Sequence, residues 1–110
     1  MKLPNGDKAV VDIRKLSEYC LNPAHPHGRH KARLFAAALG FTARDAEKLR
    51  ALLLDAAATC NAIPLEIDEY GRHFLVELTV DGHKGPIVVL SFWIILDGTD
   101  YPKLATCYPA

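Results

Sequence analysis

The spacing of apolar positions along the chain changes near residue 60, from a helical repeat to strand alternation. Ile13, Leu16 and Cys20 share one helical face, with Tyr19 beside them. Asp12 is suited to cap a helix running to Leu21, and Asn22-Pro23 stops it. A second helix is predicted from about Gly28 to Leu39. Leu34, Phe35, Ala38 and Leu39 form its apolar face, and Gly40 follows as the residue that ends it. Thr42, with Asp45 three residues on, opens a third helix. Its face is Ala46, Leu49, Leu53, Ala56 and Cys60, and it should end near Thr59.

Beyond Ile63 the period becomes two. Arg72 to Val80 places Phe74, Val76, Leu78 and Val80 on one face, and His73, Leu75, Glu77 and Thr79 on the other. Ile87 to Leu96 is apolar except for Ser91, the pattern of a central strand covered on both faces. Leu104 to Tyr108 reads as a last short strand, and Lys8 to Val11 as an edge strand near the start. Pro64 and Asp68-Glu69-Tyr70-Gly71 mark a loop with at most a short strand. The fold class is therefore α+β. Two to three N-terminal helices precede a three- to four-stranded antiparallel sheet, with the helices on one face, in a single domain spanning 1–110. Ser91 and Trp93 point the same way. A five-residue loop at Asp81 to Gly85 would set His73 opposite Trp93, and a tight 97–102 turn would set Trp93 opposite Thr106.

Net charge is zero, with 13 basic and 13 acidic residues, but the halves differ. Residues 1–55 hold ten Lys/Arg against six Asp/Glu, and residues 56–110 hold three against seven. The acidic half could pair with the basic one inside the fold or across a dimer. No apolar run reaches the roughly 18 residues of a membrane span. With no apolar leader at the start and three cysteines in no paired motif, a reduced, cytoplasmic protein is expected. No glycine-rich phosphate loop, dinucleotide fingerprint or zinc-protease motif occurs, so no cofactor is implied.

The basic excess concentrates at His25-Pro26-His27-Gly28-Arg29-His30-Lys31-Ala32-Arg33, at a helix start whose free amides favour an anion. Arg29 and Arg33 can hold phosphate, and His30 can move a proton near neutral pH. The same segment also reads as a solvated basic turn, or as a metal loop of unusual spacing. Ser91 and Thr106 are hydroxyls on otherwise apolar strands. They either donate to a phosphate or pair across the sheet. Trp93 and Tyr108 either stack on bases or pack in the core. Glu66, Asp68 and Glu69 read as a solvated loop, a general base or a metal site, and the cysteines as buried thiols.

Together, Lys15-Leu16 with Tyr19, Leu21-Asn22-Pro23, His25-Pro26 and Gly28 to Arg33 with Phe35 and Leu39-Gly40 resemble an uncharacterised bacterial domain family. Tyr70-Gly71, Ser91 with Trp93-Ile94, and Leu104 with Thr106 and Tyr108 extend the resemblance over nearly the whole chain. Members of that family occur alone or at the C-termini of phage-like and toxin-like proteins, and the lone genes sit in toxin–antitoxin-like pairs. The order of elements is similar to that of the barnase, EndoU, colicin and RelE ribonucleases. The resemblance implies a metal-independent endoribonuclease whose partners are RNA and a small cognate antitoxin-like protein. Under it His30 is general acid or base, and Lys31 stabilises the phosphorane. Ser91 and Thr106 bind phosphate oxygens, Arg29 and Arg33 hold the backbone, and Trp93 or Tyr108 stacks a base. His25 or His73 would be the second proton-transfer group. The rival readings are a non-catalytic interaction module, antitoxin-like or a homodimer, and an anion or metal sensor built on the histidine loop.

Overall fold

The computed structural model describes residues 1–110. Helix α1 (Ile13–Lys15) starts where the Asp12 carboxylate accepts from the Arg14 N–H, and continues directly as a π-helical turn, Leu16–Cys20. The wider turn is closed by the Leu21 N–H donating to the Leu16 carbonyl at 2.8 Å. Helix α2 (Arg29–Leu39) ends on Gly40, whose φ of 69° is a left-handed conformation that glycine adopts without strain. Helix α3 (Ala46–Thr59) is entered through a short 3-10 turn, Ala43–Asp45, closed by a Thr42/Asp45 capping box. Both expected caps are therefore present. The apolar face of α2 is displaced, however. Ala32, Phe35 and Leu39 are buried, whereas Leu34 is 47% exposed.

Strands β1 (Ala62–Ile67), β2 (Gly71–Gly82), β3 (Gly85–Leu96) and β4 (Lys103–Pro109) form one antiparallel sheet in sequence order. The expected loop after Ile63 is an edge strand despite Pro64, because an edge needs only one row of backbone donors. The expected strand at Lys8 to Val11 contracts to a single parallel bridge between Val10 and Lys103, and Gly6–Lys8 is a 3-10 turn.

The β2–β3 turn is shorter than its residues predict. Gly82 pairs with Gly85 across the two-residue loop His83-Lys84. That slips the register by one, so Phe74 and not His73 lies opposite Trp93. A bulge at Ala105 then sets Leu104 opposite Trp93, Thr106 opposite Phe92 and Tyr108 opposite Leu90.

Phe74, Val76, Leu78 and Val80 share the buried face with Val89, Ser91, Trp93, Ile95, Leu104 and Cys107. Leu16, Phe35, Leu49 and Leu53 of the helical layer close the same core. The other face carries Leu75, Leu90, Phe92 and Ile94, all half-buried, with Ile63 and Val88 exposed. Strand β3 is thus interior in the sheet, as its composition predicts, but is covered on one face only.

Candidate functional site

Lys31 meets Tyr108 at the outer edge of β4, and Thr106 lies on the same strand against Cys20. Lys31 lies in the first turn of α2, and its ammonium donates to the Tyr19 hydroxyl at 2.9 Å. The same nitrogen lies 4.9 Å from the centre of the Tyr19 ring and 5.9 Å from that of Tyr108, within cation–π range of both. Tyr108 stacks on Phe92 at 5.7 Å. The Thr106 hydroxyl lies 3.9 Å from the Cys20 sulfur.

The π turn and the loop after it build this junction. The wider turn delivers Tyr19 and Cys20 to the last strand, and Gly28 lets α2 begin against them. A β-carbon on Gly28 would overlap the Tyr19 carbonyl. His25 fixes the approach. Its Nδ1 accepts from the His27 and Gly28 amides, both at 3.0 Å, and its ring meets Tyr19 edge-on at 4.9 Å. With Nδ1 occupied as acceptor, the neutral ring carries its proton on Nε2. His25 is therefore placed to donate and not to accept.

A polar groove of about 400 Å³ opens beside this cluster, lined by Asp12, Arg14, Lys15, Glu18, Tyr19, Ala105 and Thr106. Lys15 ties its floor by donating to the Ala105 carbonyl at 3.2 Å, at the bulge. Arg14 pairs with Asp12 at 3.1 Å, and that hydrogen bond holds the Asp12 carboxyl below its ordinary 3.8.

The other expected site residues divide in two. Arg29, His30 and Arg33 are exposed on α2, with no ion pair to any acid. His30 is adjacent to Lys31, but a helical step of about 100° separates their directions. Arg33 instead lines a mostly apolar cleft with Leu21, Ala36, Phe41 and Arg44. Ser91 and Trp93 are fully buried. The Ser91 hydroxyl donates to the Val76 carbonyl at 2.7 Å and accepts from the Trp93 indole at 2.9 Å. Phosphate binding by Ser91 and base stacking by Trp93 therefore give way to a paired core position.

Residue spacing concealed three arrangements. Tyr19 meets Lys31 across a proline-containing loop that no periodicity spans. The Cys20 sulfur meets the Thr106 hydroxyl although 86 positions separate them. Asp68 pairs with His73 at 2.8 Å, and its other oxygen accepts from the Tyr70 and Gly71 amides, clamping the β1–β2 turn. Glu66 lies beside that pair, with ligand atoms of the three residues within 4.8 Å of one another. Nothing in the spacing of His73 and these acids joins them; the β1–β2 turn does.

No helix is long and apolar enough to cross a membrane. No curated protein and no solved structure matches the chain. Residues 2–110 match the family described as Domain of unknown function (DUF6883), and the chain belongs to that family.

Proposed function

We propose that this chain is a toxin-like, metal-independent endoribonuclease of a toxin–antitoxin-type pair, and that the groove at the β4 edge is its site. The observation that carries the reading is that Lys31 meets both Tyr19 and Tyr108, while Tyr19 and Thr106 line one groove. Metal-free RNA cleavage removes the 2′-hydroxyl proton and attacks the adjacent phosphorus. It expels the 5′-oxygen, leaving a 2′,3′-cyclic phosphate and a 5′-hydroxyl. Lys31 offsets the charge that develops on the phosphorane. Because Lys31 donates to the Tyr19 oxygen, the phenol proton is free to pass to the leaving oxygen. The Thr106 and Tyr108 hydroxyls bind the non-bridging oxygens. His30, a helical step round α2 from Lys31 on its open side, takes the 2′-proton, and Arg29 holds the flanking backbone. Ser91 and Trp93 have no part in this scheme.

The test is incubation of purified chain with single-stranded RNA in EDTA, followed by mapping of the fragment ends. Wild type should leave cyclic phosphate ends. Lys31→Met and Thr106→Ala should each lower the rate by about 100-fold or more, the usual cost of removing one such donor. Intact RNA with wild type overturns the reading.

One observation favours a second reading, a non-catalytic interaction module. The uncovered sheet face is apolar at Leu75, Leu90, Phe92 and Ile94. Such a face is more often completed by protein than by RNA. Intact RNA in the cleavage assay would favour this reading, and with it an antitoxin-like role or a dimer.

A further inference from the structure

A second concavity lies between the loop after the π turn, helix α2 and the 3-10 turn before α3, and the proposed cleavage does not use it. Its volume is about 340 Å³, at the lower end of the range for a small-ligand site. Leu21, Ala32 and Phe41 are buried and form its floor, and Pro23, Ala36 and Ala43 border it. Ala32 and Ala36 stand one above the other on α2, four residues apart. Their methyl groups leave the room that larger side chains would fill.

The charge on this cleft has one sign. Arg33 on α2 and Arg44 in the 3-10 turn both line it, no acidic residue does, and neither guanidinium is paired with an acid. A third cation, Lys48, lies 5.3 Å from the centre of the Phe41 ring. The acids nearest in the chain are engaged elsewhere. Asp45 accepts from the Thr42 amide at 2.9 Å, and Glu47 pairs with Arg50 at 3.7 Å. Apolar walls with two unpaired guanidiniums complement a molecule that has an apolar body and an anionic head.

We propose that this cleft binds a medium-chain aliphatic carboxylate, with the chain on Leu21, Ala36 and Phe41 and the carboxylate held by Arg33 and Arg44. Inorganic phosphate would satisfy the arginines and leave the apolar floor wet. A protein partner needs about 800 Å² on each side, far more than the lining of this cleft exposes. A short alkyl chain fits the cleft whole and removes that floor from water. The inference stands independently of whether the groove at β4 cleaves RNA.

The experiment titrates the full chain with decanoate in a calorimeter, below the concentration at which decanoate forms micelles. Wild type should bind it saturably at one site. Octanoate should bind about tenfold more weakly, because two fewer methylenes are buried. Decyltrimethylammonium, with the same chain and the opposite charge, should bind at least about tenfold more weakly than decanoate, as should inorganic phosphate. Replacing both arginines, Arg33→Gln with Arg44→Gln, should weaken decanoate by about tenfold or more. Ala36→Trp fills the cleft from an exposed helical position and should abolish saturable binding. Circular dichroism checks that each variant is folded. The same titration with an acidic, leucine-containing peptide tests for a protein partner. No saturable decanoate binding, equal binding of the cationic amphiphile or of phosphate, or binding undiminished in folded Ala36→Trp would each overturn the proposal. Binding of the peptide in place of decanoate would overturn it in favour of a protein partner.

Discussion

Ser91 shows how one residue can carry two chemistries until its neighbours are known. On an apolar strand its hydroxyl reads as a ligand for phosphate. In the fold it fills the hydrogen-bonding needs of a buried indole and of the Val76 carbonyl. Ser91→Ala should therefore cost about 1–3 kcal/mol, because it leaves the Trp93 N–H enclosed without an acceptor. A urea melt would register the loss. Cleavage of RNA by the folded fraction should be unchanged, whereas a direct role in the site would abolish it. Lys31 is the opposite case. Its position at a helix start is readable from the chain, but its contact with Tyr19 is visible only in three dimensions.

At the scale of elements, the turn between α1 and α2 sets the geometry of the groove. Gly28 has an ordinary negative φ, so its role is space and not conformation. Gly28→Ala should push α2 from the Tyr19 carbonyl and cost about 1–3 kcal/mol, as overpacking does. For a domain of this size that lowers the melting temperature by several degrees or more. The loss of activity should exceed the loss of folded protein, since Lys31 would move away from Tyr19. At the other end of the sheet, the β1–β2 turn depends on Asp68. The Tyr70 amide first, and then the His73 ring, hold the Asp68 carboxyl below its ordinary 3.8. The stability it adds is therefore complete above that value and is lost as pH falls through the lower folded value. Asp68→Asn should narrow the difference in urea midpoint between pH 6 and pH 3. An unchanged difference would show that the clamp contributes nothing to acid sensitivity.

Over the whole molecule, the unequal charge of the two halves is not resolved inside the fold. The ion pairs are local: Asp12 with Arg14, Glu47 with Arg50, and Asp68 with His73. None joins the basic start of α2 to the acidic second half, so Arg29 and Arg33 remain open to an anion from outside. The sheet is equally unfinished on one side. Helices cover the face that holds Trp93 and Ser91, and the face with Leu75, Phe92 and Ile94 stays open. A polar groove at one edge and an apolar face beside it are the two surfaces on which the proposed readings turn.

The residues alone determined the element order, the caps at Asp12 and Thr42, the stop at Gly40 and the shared facing of Ser91 and Trp93. These follow from short-range rules: a carboxylate reaches the next amides, glycine tolerates positive φ, and side chains alternate along a strand. The tertiary structure decided which face those two residues occupy, because a two-residue β2–β3 loop in place of the expected five slips the register by one and so exchanges the faces. It also decided that Lys31 meets Tyr19 and Tyr108 and that Cys20 meets Thr106. Those contacts depend on a π turn and a strand bulge, each shifting the chain by one residue against its neighbour, and neither leaves a repeat in the sequence.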